Sequence, residues 1–233
     1  MLKASFGTAA ARRVTERKFG VLFLFLLAYL VLFPYARNTG LPYLTFRVFG
    51  SVVTVLSIYA VSFRRRIVTS AIVLAIPALV QRIVLPKADA GVLPIVGSVL
   101  SLAFDVFIVV TIFRRVFLKD QATKEAIFGA LCIYLLAGFS FSNLYAMLAA
   151  VQPHAFYLDP TVNVDVVPDR FDFIYYSFAN LTCLGAAGIT PVSDQARSFS
   201  VIEAVLGVLY LAVLISRLLN AYHTSAQVKR DRD

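Results

Sequence analysis

Six stretches in which apolar residues run almost without a break divide this chain: Phe19 to Pro34, Val48 to Phe63, Ile67 to Leu85, Val92 to Phe113, Ile127 to Val151 and Ser200 to Tyr222. A helix needs about 20 residues to cross the hydrocarbon core of a bilayer, so the pattern predicts six membrane spans. The first run is short and follows a basic stretch (Arg12, Arg13, Arg17, Lys18), as the core of a secretory leader would. No small-x-small cleavage site comes after it, so it reads as a retained span.

A seventh apolar run, Phe173 to Leu181, is far too short to cross. It follows a stretch from Gln152 to Phe173 that holds three prolines and the four aspartates Asp159, Asp165, Asp169 and Asp172. The polar stretch reads as an outer loop and the short run as a re-entrant helix, because irregular backbone at membrane depth is tolerated only where it lines a cavity. The chain carries no tandem repeat and no low-complexity segment.

Composition agrees with this pattern: 60% of the residues are hydrophobic and 15% charged, outside the range of soluble domains. The net charge of +9 could suggest a nucleic-acid partner, but the basic residues gather between the apolar runs, where they fix membrane orientation. With the N-terminus inside and the spans alternating, the inner segments collect sixteen of the 22 Lys and Arg residues, leaving Arg37, Arg47, Arg82, Lys87, Arg170 and Arg197 outside. That bias places both termini in the cytoplasm. The two cysteines, Cys132 and Cys183, have neither metal-site nor disulfide-scaffold spacing. Neither His154 nor His223 has a metal-ligand partner at suitable spacing, and no catalytic constellation or phosphate-binding Gly-rich loop is present, so the chain does not read as an enzyme.

The most informative segment is Phe171-Asp172-Phe173-Ile174-Tyr175-Tyr176-Ser177-Phe178-Ala179-Asn180-Leu181-Thr182-Cys183-Leu184-Gly185-Ala186-Ala187-Gly188-Ile189-Thr190-Pro191. With Ala196-Arg197, Glu203, Gly207, Tyr210 to Ile215 and Arg217-Leu218 behind it, it resembles the pore helix, filter and inner helix of the bacterial two-transmembrane-pore potassium channel superfamily. The resemblance covers about Lys124 to Tyr222, and the first 120 residues contribute no family motif. In that family the usual filter is Thr-Thr-Val-Gly-Tyr-Gly-Asp followed by Ile-Thr-Pro. Here the corresponding residues are Thr182, Cys183, Leu184, Gly185, Ala186, Ala187 and Gly188, followed by Ile189, Thr190 and Pro191.

The departures from that filter carry chemical meaning. The usual filter replaces the hydration shell of an ion with backbone carbonyls and a Thr hydroxyl. Cys183 puts a weak donor and weak acceptor at the Thr position. Ala187 replaces a glycine at a backbone position of positive φ, a change costing about 1–2 kcal/mol per subunit. Ala186 replaces the bracing Tyr, and Gly188 replaces an Asp that hydrogen-bonds behind the filter. Two readings follow: a wider, less dehydrating cation pathway, or a pore-like scaffold that conducts little.

Asp105, inside the fourth run, is an intramembrane acid and hence a functional-site candidate by default. A structural pairing with Arg82, or with Ser51, Thr54 and Ser57, is the alternative. The fourth run has no basic residue before Arg114, so the charge ladder of a voltage sensor is missing. Gly207 sits where the last span could bend, with Ala204, Ala212 and Ser216 allowing close approach, and Glu203 is placed to brace the pore helix. The outer-loop aspartates would form negative rings at the mouth of a four-fold assembly.

The expectation is therefore an all-α integral membrane protein. It has a basic cytoplasmic N-terminus (1–18), a four-helix membrane domain without sensor charges (19–118), a pore domain (119–223) and a short cytoplasmic tail (224–233). The resemblance implies a homotetramer in a bacterial inner membrane, its partners the lipid bilayer and its own copies. It would move potassium, and with a loosened filter sodium, passively, without cofactor or nucleic acid. The alternative is a non-conducting channel-like subunit that associates with related channel subunits.

Overall fold

A computed structural model of the protein describes residues 18–37, 42–62, 65–84, 92–118, 124–163, 167–185 and 188–230. Seven α-helices lie among them: α1 (Lys18–Arg37), α2 (Pro42–Ala60), α3 (Arg65–Val84), α4 (Val92–Phe117), α5 (Lys124–Val151), the short α6 (Arg170–Leu181) and the long α7 (Asp194–Arg230). The fold is helical as expected, with two three-residue strands, β1 (Phe156–Leu158) and β2 (Ile189–Pro191), in the loops that flank α6. They pair antiparallel with Phe156 opposite Pro191 and Leu158 opposite Ile189. Three helical segments among the described residues are long and apolar enough to cross a membrane: Ile95–Phe117, Glu125–Val151 and Asp194–Arg217. Shorter apolar helices occupy Lys18–Leu32 and Val48–Ala60.

The chain divides into two compact units. In the first, which runs through Lys119 and takes in Thr123–Leu136, each of α1 to α4 packs on its neighbour in sequence. The buried stripes have helical spacing: Leu22, Leu26 and Tyr29 on α1, and Phe104, Ile108, Ile112 and Val116 on α4. Gly129, at the start of α5, lets that helix approach closely, since a Cβ there would lie 2.7 Å from Val116 Cγ2 and 3.4 Å from Phe19 Cδ2. The Cys132 thiol donates to the Phe19 carbonyl at 3.3 Å. Lys18 Nζ donates to Ser62 Oγ at 2.8 Å and lies 4.6 Å from the centre of the Tyr59 ring.

Asp105 is half-buried on α4 and is not left without a partner. On α2, Thr54 Oγ1 donates to the Gly50 carbonyl at 2.9 Å, and the buried Ser57 hydroxyl has no hydrogen-bond partner among the described residues. The Arg82 side chain lies outside the described residues.

The second unit contains Ala137–Asp233, including the C-terminal part of α5, both strands, α6 and α7. Its core joins Tyr145 and Leu148 of α5, Phe156 and Leu158 of β1, Phe173 and Tyr176 of α6, Ile189 of β2 and Ala196 of α7. Four of these residues are aromatic and meet edge to face. Ring centroids lie 5.0 Å apart for Tyr145–Tyr176, 5.1 Å for Phe156–Phe173 and 5.4 Å for Phe156–Tyr176. That geometry suits the ring quadrupole and adds to the burial of area.

Candidate pore loop

The short helix α6 starts where the sequence supplies a cap. Asp169 accepts from the Phe171 and Asp172 amides at 2.7 and 3.0 Å, and the Asp172 carboxylate accepts in return from the Asp169 amide at 2.8 Å. This reciprocal capping box satisfies amides that the first turn would leave unpaired. Phe173, Tyr176 and Ser177 face inward at helical spacing and seat α6 against α5 and α7. On α5, Gly138 makes room for the Phe178 ring, which lies 2.7 Å from where a Cβ would stand.

The same helix ends in a turn that the sequence did not advertise. The Leu184 amide donates to the Ala179 carbonyl at 2.8 Å, and the Cys183 amide donates to the Asn180 carbonyl at 3.0 Å. These are the paired 6→1 and 5→2 bonds of a Schellman cap, with Thr182 as the C-cap and Cys183 in the left-handed position at φ +56°. Glycine is the usual occupant of that position, and a residue with a Cβ there costs about 1–2 kcal/mol. The first filter-like residues therefore close a helix. Thr182 Oγ1 donates back to the Phe178 carbonyl at 2.7 Å, and the Leu184 side chain is exposed.

Beyond the cap, Gly185 adopts φ +83° in open space, and Gly188 adopts φ +88° in tight surroundings. Ala186 and Ala187 lie outside the described residues. A Cβ on Gly188 would stand 2.9 Å from Asn163 Nδ2 and 3.2 Å from Val162 Cγ1. From Gly188 the chain enters β2, which the pairing with β1 ties to the outer loop. The loop itself turns at Asp159, whose carboxylate accepts from the Thr161 hydroxyl at 2.7 Å and the Thr161 amide at 2.9 Å. Those two donors hold the Asp159 carboxyl below its ordinary pKa.

Behind the loop, a fully buried carboxylate joins three helices. Glu203 of α7 accepts from the Tyr145 hydroxyl of α5 at 2.7 Å and from the Ser177 hydroxyl of α6 at 2.5 Å. The Gly138 carbonyl, 2.7 Å from Ser177 Oγ, competes with Glu203 for the single hydroxyl hydrogen. One turn away, the Ser200 hydroxyl donates to the Ala196 carbonyl at 2.7 Å, which leaves its oxygen to accept from the Tyr176 hydroxyl at 2.5 Å.

Gly207 completes the contact between α7 and α6. A Cβ there would overlap the Leu181 carbonyl oxygen and lie 3.0 Å from its carbon, so the two backbones touch at the end of the short helix. Glu203 and Gly207 lie on one stripe of α7 with Ala196 and Ser200. Off that stripe, the middle of α7 is apolar and uncovered, with Val201, Ile202, Val205, Leu206, Val208 and Leu209 all exposed.

Thr182 to Gly185 and Gly188 thus lie along one loop, and Glu203 and Gly207 support the helix that leads into it. Asp105 belongs to the other unit. Tyr145, Asn163 and the Schellman cap are participants that sequence reading missed. The partners of Glu203 lie 58 and 26 residues away, too far for spacing to reveal. Asp169 and Asp172, read from sequence as outer-loop acids, instead cap α6.

Residues 127–223 match the family model described as an ion channel. The match covers most of α5, the loop, α6 and most of α7, the part of the chain that carries the capped loop and the Glu203 junction. Neither curated proteins nor solved structures gave a match to the chain.

Proposed function

We propose that this chain assembles as a homotetramer in a bacterial inner membrane and conducts monovalent cations, potassium and sodium both, through a pathway lined by residues 182–188. A single pore loop cannot enclose an axis, so four copies are needed, each with six spans and both termini cytoplasmic. The observation that carries this reading is the junction within the channel-like segment. A helix too short to cross is held between two membrane-length helices by a buried carboxylate, and it ends in a loop whose residues 182–185 are exposed. Irregular backbone of that kind is stable in a bilayer only beside a water-filled cavity. The uncovered apolar surface in the middle of α7 is what a helix shared between lipid and neighbouring copies requires.

The residues of the loop support weakened selectivity. Cys183 puts a thiol where the usual filter has a Thr hydroxyl, and Ala186 stands in place of the bracing Tyr, so the oxygen cage that replaces a hydration shell loses a ring and its brace. Ions then pass more fully hydrated, and the difference in dehydration cost that separates sodium from potassium is lost. The same substitutions support a second reading, a non-conducting subunit associated with related channel subunits, because a loop without the hydroxyl ring and its brace offers an ion less to replace its water.

Flux from liposomes carrying the purified protein separates the two, with potassium and sodium gradients run separately. The control carries Cys183→Thr, Leu184→Val, Ala186→Tyr and Ala187→Gly. It keeps Gly188, where φ +88° and the Asn163 contact exclude a side chain. Flux of both ions by the native protein, turning potassium-selective in the control, supports the pore. Silence from the native protein with flux from the control supports the non-conducting subunit.

A further inference from the structure

The outer end of the loop is fastened by a side chain to which nothing above assigns a role. Asn163 Nδ2 donates to the Gly188 carbonyl at 2.7 Å and to the Asp159 carbonyl at 3.0 Å. A side-chain amide has two N–H bonds on its nitrogen, and here each meets one carbonyl, so the orientation of the amide is fixed by its partners. The Gly188 carbonyl also accepts from the Asp159 amide at 2.9 Å. Its two lone pairs are thus both engaged, one by the backbone of the outer loop and one by the Asn163 side chain.

The Asn163 amide is itself anchored, since its own backbone N–H donates to the Asp159 carbonyl at 3.0 Å and closes the turn that begins at Asp159. Thr161 locks the head of that turn through the Asp159 carboxylate. Gly188 is the complementary half: its missing Cβ is what lets Asn163 approach, and its positive φ aims the carbonyl back at the loop. Sequence places these partners 25 residues apart, on either side of α6.

We infer that Asn163 is a positioning residue for the pore loop, a clamp that fixes the Gly188 carbonyl and with it the outer mouth of the cation pathway. Its effect on ion passage rests on the pore reading proposed above, whereas the clamp itself does not. The Asp159 amide and the β1–β2 pairing also hold this end, and Asn163 adds the second bond on the Gly188 carbonyl. Loss of the clamp leaves that carbonyl a free lone pair to offer passing cations and changes the relative permeability of potassium and sodium.

The test uses Asn163→Asp, which keeps the shape and replaces the two donors by acceptors facing two carbonyls, and Asn163→Ala, which removes the group. Both are made in the full chain and reconstituted in liposomes. The first readout is amide hydrogen exchange at Asp159 and Ile189, which needs no conduction. The loss of one hydrogen bond predicts exchange about five- to tenfold faster in both variants, with the far end of α6 unchanged. The second is the ratio of potassium to sodium flux, which shifts by about twofold or more in both variants while the proportion of assembled oligomer stays at the native level.

Unchanged exchange at Asp159 and Ile189 overturns the clamp. Faster exchange with an unchanged flux ratio overturns its role at the mouth. A native protein that carries neither ion removes the pore reading, and the exchange result then decides the clamp alone. A variant that fails to assemble, while Asn163→Gln retains assembly and native exchange, identifies Asn163 as a folding element and overturns the positioning role.

Discussion

Glu203 offers the sharpest quantitative handle on the second unit, because one carboxylate serves two donors from two other helices. Replacing it by Ala removes the acceptors of Tyr145 at 2.7 Å and Ser177 at 2.5 Å. Ser177 keeps the Gly138 carbonyl at 2.7 Å, whereas the Tyr145 hydroxyl loses its carboxylate acceptor. A buried unpaired hydroxyl costs about 1–3 kcal/mol, and the emptied volume adds a cavity term. We therefore expect Glu203→Ala to destabilise the protomer by about 2–4 kcal/mol. Glu203→Gln retains one acceptor and should cost about 1–2 kcal/mol. Tyr145→Phe strands one carboxylate oxygen and should cost about 1–3 kcal/mol. Because Tyr145 and Glu203 share one bond, the double variant Tyr145→Phe/Glu203→Gln should fall short of the sum of the singles by about 0.5 kcal/mol or more. The assay is reversible unfolding in mixed micelles, followed by tyrosine fluorescence. Stabilities of Glu203→Ala and Glu203→Gln within about 0.5 kcal/mol of native, or strict additivity of the pair, would refute the claim that this carboxylate ties α5, α6 and α7 together.

Other consequences follow from the same geometry. Gly207→Ala pushes α7 off the Leu181 carbonyl and should abolish assembly of the oligomer, as read by size-exclusion chromatography, whereas Ala204→Gly, off the contact, should leave it intact. Cys183→Gly relieves the left-handed strain at φ +56° and should stabilise the protein by about 0.5–1 kcal/mol, net of the extra freedom glycine gives the unfolded chain; destabilisation would show that the cap is not formed. If four Cys183 thiols converge in the assembled pore, cadmium blocks current in the native protein and not in Cys183→Ser. The lowered pKa of Asp159 arises from the two Thr161 donors. Its stabilising effect on the outer turn is therefore fully present above the ordinary carboxylate value of 3.8 and is lost as pH falls through the lowered value. The Thr161 amide chemical shift should move only in that acid range, and not at all in Asp159→Asn.

Much of the architecture could be read from the chain because its strongest signals are local. Long apolar runs mark the helices, and a short apolar run between a polar loop and a Gly-rich turn marks α6. The sequence also located the loop between Thr182 and Gly188, since altered letters inside a familiar frame stand out. It could not show that Thr182 to Leu184 would fold into a helix cap, because Cys is a poor marker for the left-handed position and the bonds that define the cap depend on where α6 stops. Strands β1 and β2 were invisible for a different reason. Three-residue strands carry no periodicity, and their pairing brings together residues 31 to 35 positions apart across an intervening helix. Glu203 was read as a brace from its place one turn before Gly207. Its donors Tyr145 and Ser177 needed coordinates, because long-range hydrogen bonds leave no mark in spacing. Asn163 escaped notice for the same reason: an Asn in a polar loop resembles any other turn residue until its amide is seen between two carbonyls.

The measurement that tests the central claim most directly is the reversal potential of current through the purified protein in a planar bilayer, with potassium on one side and sodium at equal concentration on the other. A pore that passes both ions with little dehydration predicts robust current that reverses near zero. Reversal far toward the potassium equilibrium potential would contradict the loosened filter, and the absence of any current across many successful insertions would contradict conduction itself.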